Sequence, residues 1–225
     1  MEVTNINETP IIQNDWIVGI ANRSLTPELI TGMGAAFGTT LDTTDIVLVG
    51  RDFRYDSRML KRCFIGGLIS TGVSTFDFHA IAGSTLQFLI RRFGASAGVL
   101  IAASHSIPKG IEIRIFDELG MEQPLNKLNM LLKSTSISST NSIRRVHPEK
   151  IGRILVPPDV ENIYRNALTR MIDTQSISKM NSNLTVDCSL SPISEIIPSL
   201  LSELNFNVVS LNSFKPVHIP EVLPN

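Results

Sequence analysis

Ser104 and His105 follow directly after an apolar run at residues 97–103 (AGVLIAA). A short run of this kind is typical of a buried strand, and side chains that follow it lie at the carboxyl edge of a sheet, where open α/β folds bind ligands. A serine at this edge can act as a nucleophile or carry a phosphoryl group, and the adjacent histidine can donate a hydrogen bond to a transferred oxyanion. These two residues are therefore the first candidates for chemistry.

The Ser-His dipeptide by itself does not select this chemistry. A loop serine and histidine can also cap backbone groups, and Ala102 and Ser106 replace both glycines of a G-x-S-x-G nucleophile elbow. The four histidines show no metal-ligand spacing with one another or with Cys63 and Cys188, so no zinc site is predicted.

The elements that must position these residues alternate along the first half of the chain. Thr26 and Pro27 begin a helix as its N-cap and first residue. The further predictions are strands at 45–50, 73–78, 98–103 and 111–116, and helices near 57–70 and 86–92. Strands that alternate with helices indicate an α/β layer with a largely parallel sheet. The strand at 111–116 alternates isoleucines with Glu112 and Arg114, which is typical of a half-exposed strand.

Composition divides the chain into four segments. They are a polar N-terminal segment at 1–15, an α/β domain at 16–133, a Ser/Pro-rich linker at 134–158 and part of a second domain at 159–225. The last segment holds one predicted βαβ unit, which buries its sheet incompletely. We therefore expect an open sheet edge and an uncovered apolar face, through which the chain associates with itself or with another protein. The expected face includes Ile196, Ile197, Leu200 and Leu201.

The composition also excludes several classes of protein. Hydrophobic residues make up 43% of the 225 residues, which excludes disorder over most of the length. Twenty Lys and Arg against 21 Asp and Glu give a formal charge of −1, without the basic excess that nucleic-acid binding requires. No apolar stretch approaches the ~20 residues of a membrane helix, and the N-terminus lacks a signal-peptide pattern. With only two cysteines, the chain is expected to be a cytoplasmic globular protein.

Several short motifs occur in one order along nearly the whole chain. They are GIANRSLTPEL at 19–29, VGRDFRYDSRMLK at 49–61, LISTG at 68–72, AGVLIAASH at 97–105, GIEIRIFDELG at 110–120 and LTVDC at 184–188. Together they resemble the α-D-phosphohexomutases, of the phosphoglucosamine mutase and phosphomannomutase type. The resemblance implies a three-layer α/β/α first domain with a mixed, largely parallel sheet, followed by an incomplete second domain of the same type.

This family consists of isomerases that move a phosphoryl group between C1 and C6 of a hexose or hexosamine phosphate. The resemblance places the family's phosphoserine on Ser104, where a phosphoserine oxygen would bind Mg²⁺, and its histidine on His105. Arg51, Arg54 and Lys109 are the basic residues that it places near phosphate. For the two arginines an alternative stays open, which is an Arg–Asp pair that fixes a βα loop. The family's aspartate metal loop matches no residues of this chain.

The shared part departs from the family at charged positions. The phosphate-facing arginine of the family's G-T-x-G-I-R loop falls on Val18, and a lysine near the reacting hydroxyl falls on Glu112. Valine offers no hydrogen-bond donor to a phosphoryl group, and a carboxylate repels a dianion. Trp16 stands where the family has a glycine, and we expect it to pack into the space of that loop.

Three hypotheses follow from the resemblance and the departures. The chain is a truncated product of a mutase gene, a degenerate binding or regulatory partner of an intact mutase, or an enzyme of altered chemistry that uses Ser104 with another subunit's metal loop. We expect this polypeptide alone not to turn over a sugar phosphate, because Val18 and Glu112 lie inside the part that remains.

Overall fold

The structure is a computed structural model and describes residues 9–13, 15–134, 143–157 and 159–213. The chain divides into two compact units, Met1–Val160 and Glu161–Asn225. In chain order the strands are β1 (Ile11–Gln13), β2 (Trp16–Gly19), β3 (Ile46–Arg51), β4 (Ser74–Asp77), β5 (Ala97–Ala103), β6 (Ile111–Phe116), β7 (Ile154–Leu155), β8 (Asn183–Asp187) and β9 (Asn207–Leu211). The helices are α1 (Pro27–Thr39), α2 (Tyr55–Ile69), α3 (Gly83–Phe93), α4 (Leu125–Ser134), α5 (Val160–Met171), α6 (Thr174–Ser178) and α7 (Ile197–Glu203).

The first unit is built on a mixed sheet. Over the described residues it has seven strands in the order β1-β2-β6-β5-β3-β4-β7. The pairs β5–β3, β3–β4 and β4–β7 are parallel, and the pairs β1–β2, β2–β6 and β6–β5 are antiparallel. Of these seven strands, β1 and β6 therefore run against the other five. The largely parallel sheet that the alternation of strands and helices predicted is confirmed.

Helices cover both faces of this sheet. Alternate residues of the central strands, such as Val49 and Val99, join α1, α2 and α4 in one apolar core. The opposite face meets α3, where Ile90 lies so close to Gly98 that a Cβ added there would be 2.3 Å from the Ile90 Cδ1. The three-layer α/β/α architecture follows from this alternation.

Helices α1 and α2 cross at close range because glycines lie at the crossing. A Cβ added to Gly34 would lie 2.1 Å from the Phe64 carbonyl oxygen, and one added to Gly67 would lie 2.0 Å from the Thr31 carbonyl oxygen. Helix α1 begins as predicted, since the Thr26 side chain accepts a hydrogen bond from the Leu29 N–H. Close packing of this glycine-rich helix brings α2, and with it the loop before α2, against the sheet.

The structure corrects the prediction for β6. Its residues are buried on both faces apart from Arg114, because the isoleucines join the apolar core on one face and Glu112 lies against the Ser104 loop and Arg114 on the other. The half-exposed strand predicted for 111–116 is therefore wrong. Strands β1 and β2 were not predicted at all, although together they form the hairpin that extends the sheet beside β6.

The described part of the predicted linker packs on the first unit. Strand β7 pairs with β4, and the Arg144 guanidinium donates to the Thr71 carbonyl at 2.8 Å and the Gly38 carbonyl at 2.6 Å. The Arg144 N–H also donates to Thr39 Oγ1 at 3.0 Å. This arginine thus adds hydrogen bonds to carbonyl groups at the C-terminal end of α1 and just after α2, where the regular helical pattern stops.

The second unit contains the βαβ arrangement expected for it. Strands β8 and β9 are parallel and α7 packs against β9. The prediction that Ile196, Ile197, Leu200 and Leu201 form an uncovered apolar face is wrong. Ile196 and Leu200 are buried, and Ile197 and Leu201 are half-buried. The helix lays these side chains on its own sheet. Exposed apolar side chains lie instead on β9, at Val209 and Leu211.

Candidate functional site

The loop 104–110 joins the antiparallel strands β5 and β6 at the carboxyl edge of the parallel strands. The Ser104 N–H donates to the Gly110 carbonyl at 2.9 Å and closes this loop. The Ser104 Oγ accepts hydrogen bonds from the N–H groups of Ser106 and Ile107, each at 3.2 Å, and lies 3.1 Å from the Ser106 Oγ. Ser104 is half-buried and His105 is exposed. The predicted position of Ser104 at the sheet edge is confirmed.

Asp52 ties the loop after β3 to the end of β5. Its Oδ2 accepts from the Ala103 N–H at 2.7 Å, and its Oδ1 accepts from the Arg54 N–H at 3.0 Å. Both carboxylate oxygens are therefore used by backbone donors. The residue directly before Ser104 is thereby held from the neighbouring strand, which fixes where the serine leaves the sheet.

Arg54 connects two loops rather than facing open solvent. Its Nε donates to Asp56 Oδ1 at 2.9 Å, and one terminal nitrogen lies 2.5 Å from Asp56 Oδ2. The same guanidinium donates to the carbonyls of Lys109 and Gly110 at 3.1 and 3.3 Å. The Asp56 hydrogen bond raises the pKa of Arg54 above its ordinary value. These contacts favour the structural interpretation, in which an Arg–Asp pair fixes the loop.

Lys109 lies in the same loop as Ser104 and its side chain is exposed. Its backbone adopts a left-handed φ of 60°, and its carbonyl is one of the two that Arg54 binds. The structure thus places this cation in the Ser104 loop. Its backbone carbonyl is held by Arg54, the residue that precedes α2.

The two departures at charged positions are cross-strand partners. Val18 on β2 pairs with Glu112 on β6, and their exposed fractions are 0% and 1%. The Glu112 Oε1 accepts from the Arg114 guanidinium, at 2.7 Å from Nε, and Oε2 accepts from the His105 N–H at 3.3 Å. The carboxylate therefore lies under the Ser-His loop, paired with an arginine of its own strand.

Trp16 completes this network. The Arg114 guanidinium carbon lies 3.8 Å from the centre of the Trp16 ring, in cation–π geometry, and the same side chain is 3.8 Å from Glu122. The sequence indicated Trp16 and Glu112 as separate departures from the family, and Arg114 only as a polar residue of the predicted strand at 111–116. The signal that could have joined Glu112 to Arg114 is their i, i+2 spacing on one strand, because such residues share a face.

The described residues do not fit a Mg²⁺ site. Among them no group of three or more His, Cys, Asp and Glu side chains could hold a metal ion. Near Ser104, Asp52 and Glu112 already accept backbone N–H groups. Mg²⁺ takes six oxygen ligands in octahedral geometry, and this loop offers the Ser104 oxygen without a free carboxylate.

None of the helices in the described part of the chain has both the length and the apolar composition that spanning a membrane requires.

The fold and the site define a three-layer α/β/α domain with a Ser-His loop at the carboxyl edge of its sheet. Comparison with known proteins shows which family has this domain. Residues 12–140 match the family described as phosphoglucomutase/phosphomannomutase, alpha/beta/alpha domain I. This match covers more than half of the chain. The chain therefore belongs to the phosphoglucomutase/phosphomannomutase family, and the resemblance drawn from its motifs is confirmed.

Individual relatives agree with this family. The phosphoglucomutase/phosphomannomutase of Thermococcus kodakarensis is 32% identical over 206 residues, and the phosphoglucosamine mutase of Syntrophomonas wolfei is 28% identical over 205 residues. These alignments cover 90% and 89% of this chain but 44% and 45% of the relatives, so the chain spans less than half of their length. A phosphoglucomutase/phosphomannomutase family protein from Burkholderia thailandensis shares the fold, with a TM-score of 0.70 at 18% identity over 90% of this chain and 45% of that one.

Proposed function

We propose that this chain is a phosphohexomutase-family α/β domain that keeps the Ser104 loop but does not transfer a phosphoryl group by itself. Hexose and hexosamine phosphates are the substrate class that the family suggests. Ser104 and His105 are the residues that would meet the phosphoryl group, with Ser104 as its carrier. The observation that carries the proposal is the buried Glu112 carboxylate bound to the His105 N–H.

Transfer of a phosphoryl group needs positive charge and hydrogen-bond donors aimed at its oxygens. On β2 the side chain opposite Glu112 is Val18, which has no donor. On β6 the cation is Arg114, and its guanidinium is engaged by Glu112 and stacked on Trp16. The His105 N–H, a potential oxyanion donor, is likewise bound to Glu112. Loss of one preorganised donor typically lowers a rate by about 10²–10³, and here more than one is consumed.

The loop framework supports a binding role instead. Asp52 and Arg54 still hold the backbone around Ser104 through hydrogen bonds to Ala103, Lys109 and Gly110. A domain that keeps the backbone of this loop, while Glu112 engages Arg114 and the His105 N–H, is suited to act as a non-catalytic partner of an intact mutase or of a second copy of this chain. This is the second half of the proposal, and it is supported by the match of residues 12–140 to one domain of the family, domain I.

The purified chain tests the first half. With Mg²⁺, a hexosamine or hexose phosphate and a bisphosphorylated activator, we expect no turnover above that of the Ser104→Ala variant, and no phosphate on Ser104 by intact-protein mass spectrometry. Turnover that Ser104→Ala abolishes would show that the remaining donors suffice and would overturn the proposal. For the second half, co-elution with an intact phosphoglucosamine mutase is expected in size-exclusion chromatography, and separate elution of a monomer would count against it.

A further inference from the structure

Four basic side chains gather at the junction of β3 and α2, away from the Glu112 network. Arg51 ends β3, and Arg58, Lys61 and Arg62 lie at i, i+3 and i+4 on α2. Such spacing places the three helix residues on one face. Arg51 shares its sheet face with Val47 and Val49, which pack toward α1 and α2, so its side chain is directed to the helix that carries the others.

Arg51 is the unusual member of this group. Its exposed fraction is 9%, and its Nε is buried without a hydrogen-bond partner among the described residues. One terminal nitrogen donates to the Asp52 carbonyl at 2.5 Å. Burial, followed by the nearby positive charge of Arg58, lowers the pKa of Arg51 below its ordinary value. A buried guanidinium with an unused donor is costly unless an anion meets it.

The carboxylates that could meet Arg51 are already committed. Asp77, on the same face of β4, forms an ion pair with Lys61, whose ammonium group also donates to the Phe78 carbonyl at 2.7 Å. Both carboxylate oxygens of Asp52 accept backbone N–H groups, from Arg54 and Ala103. No described carboxylate lies within ion-pair distance of Arg51, Arg58 or Arg62. Positive charge therefore exceeds negative charge at this corner, although the whole chain carries a formal charge of −1.

We propose that Arg51, Arg58 and Arg62 form a binding site for a phosphate group, separate from the Ser104 loop. The buried Arg51 guanidinium forms the base of the site, and the two exposed helix arginines form its rim. Lys61 backs the site and stays paired with Asp77. Guanidinium groups bind phosphate oxygens through paired N–H donors, which makes a tetrahedral dianion the ligand that fits three arginines. The phosphate comes either free in solution or as the phosphomonoester of a sugar phosphate.

Titration of the full chain with inorganic phosphate, followed by the ¹⁵N-labelled arginine Nε–H signals, tests the site directly. We expect the Arg51 Nε–H signal, assigned with Arg51→Lys, to shift on binding. The Arg58→Gln/Arg62→Gln double variant is expected to weaken binding by at least ~10-fold, because two charge-assisted hydrogen-bond partners are lost. Arg91→Gln/Arg92→Gln removes two exposed arginines of α3 and the same charge, and is expected to bind as the parent chain does.

Two further arms define the outcome. Without phosphate, Arg58→Gln/Arg62→Gln is expected to melt at least as high as the parent chain, because it relieves like-charge repulsion at i, i+4. Ser104→Ala is expected to leave phosphate binding unchanged, whether or not the chain transfers phosphoryl groups. A titration with glucosamine 6-phosphate distinguishes the two sources of the phosphate group. Tighter binding of glucosamine 6-phosphate than of inorganic phosphate indicates a sugar phosphate as the ligand, and equal affinity indicates the free ion. Equal affinity in both double variants, or loss of binding in Ser104→Ala, would overturn the site.

Discussion

At the scale of single residues, the Glu112–Arg114 ion pair sets the charge beneath the Ser104 loop. A buried carboxylate needs a cationic partner. Arg114, two residues further along the same strand, supplies it. Trp16 in turn covers the guanidinium, which lies over its ring. Arg114 therefore neutralises the Glu112 carboxylate and packs on the Trp16 ring, and these contacts stabilise the edge of the sheet beside the Ser104 loop.

Arg114→Met is expected to destabilise the chain by about 3 kcal/mol, because it leaves the Glu112 carboxylate buried without its cation. The Glu112→Gln/Arg114→Met double variant is expected to recover much of this loss, since the buried charge is then gone. Urea unfolding followed by circular dichroism measures both. Arg170→Met, at an exposed arginine, serves as the control and is expected to change stability by less than about 0.5 kcal/mol. Equal losses of unfolding free energy in the single and double variants would mean that the unpaired Glu112 carboxylate is not the cause of the destabilisation.

At the scale of elements, the crossing of α1 and α2 positions the loop that holds Ser104. Asp52 and Arg54 lie in the short connection between β3 and α2, so their reach depends on where α2 begins. The helix can lie close to α1 because Gly34 and Gly67 remove side chains from the crossing. Arg144 then fastens the far ends of both helices through the Gly38 and Thr71 carbonyls.

Gly67→Ala tests this crossing against a neighbour in the same helix. The added Cβ would lie 2.0 Å from the Thr31 carbonyl oxygen, so the helices must separate, and we expect a loss of about 2–3 kcal/mol. At Gly66 nothing lies within 4 Å of an added Cβ, and Gly66→Ala is expected to stabilise the helix by about 0.5–1 kcal/mol. Thermal and urea unfolding of both variants would show the opposite signs. Two variants of equal stability would contradict the close crossing.

On the scale of the whole molecule, the two units differ in how completely their sheets are covered. In the first, β3, β5 and β6 each have a strand on both sides. Helices α1, α2 and α4 pack on one face of this sheet, and α3 packs on β3 and β5. In the second, the described sheet has the two strands β8 and β9, and residues on one of its faces are exposed, including Val209. A sheet with partners on one side only leaves half of its backbone groups outside the ladder.

Hydrogen exchange is therefore expected to be slow in β3, β5 and β6 and much faster in β8 and β9. The physical reason is that local opening of a two-stranded sheet exposes little buried surface, whereas opening of the central strands requires the first unit to unfold. Exchange followed by mass spectrometry measures this difference, with the fully unfolded chain in denaturant as the reference. Equal protection of the two sheets would show that the second unit is covered in solution.

Much of the frame follows from local patterns in the sequence. The run at 97–103 places Ser104 at a strand end, Thr26 and Pro27 start α1, and the glycines of α1 permit close packing, because each signal lies within a few residues. The tertiary structure alone decides which neighbours flank a strand. An alternating pattern at 111–116 predicts one polar face, but Glu112 is buried on that face, where the His105 N–H and the Arg114 guanidinium donate to its carboxylate. The pairing of Val18 with Glu112 and the reach of Arg54 to Gly110 join residues far apart in sequence, and no local pattern encodes such contacts.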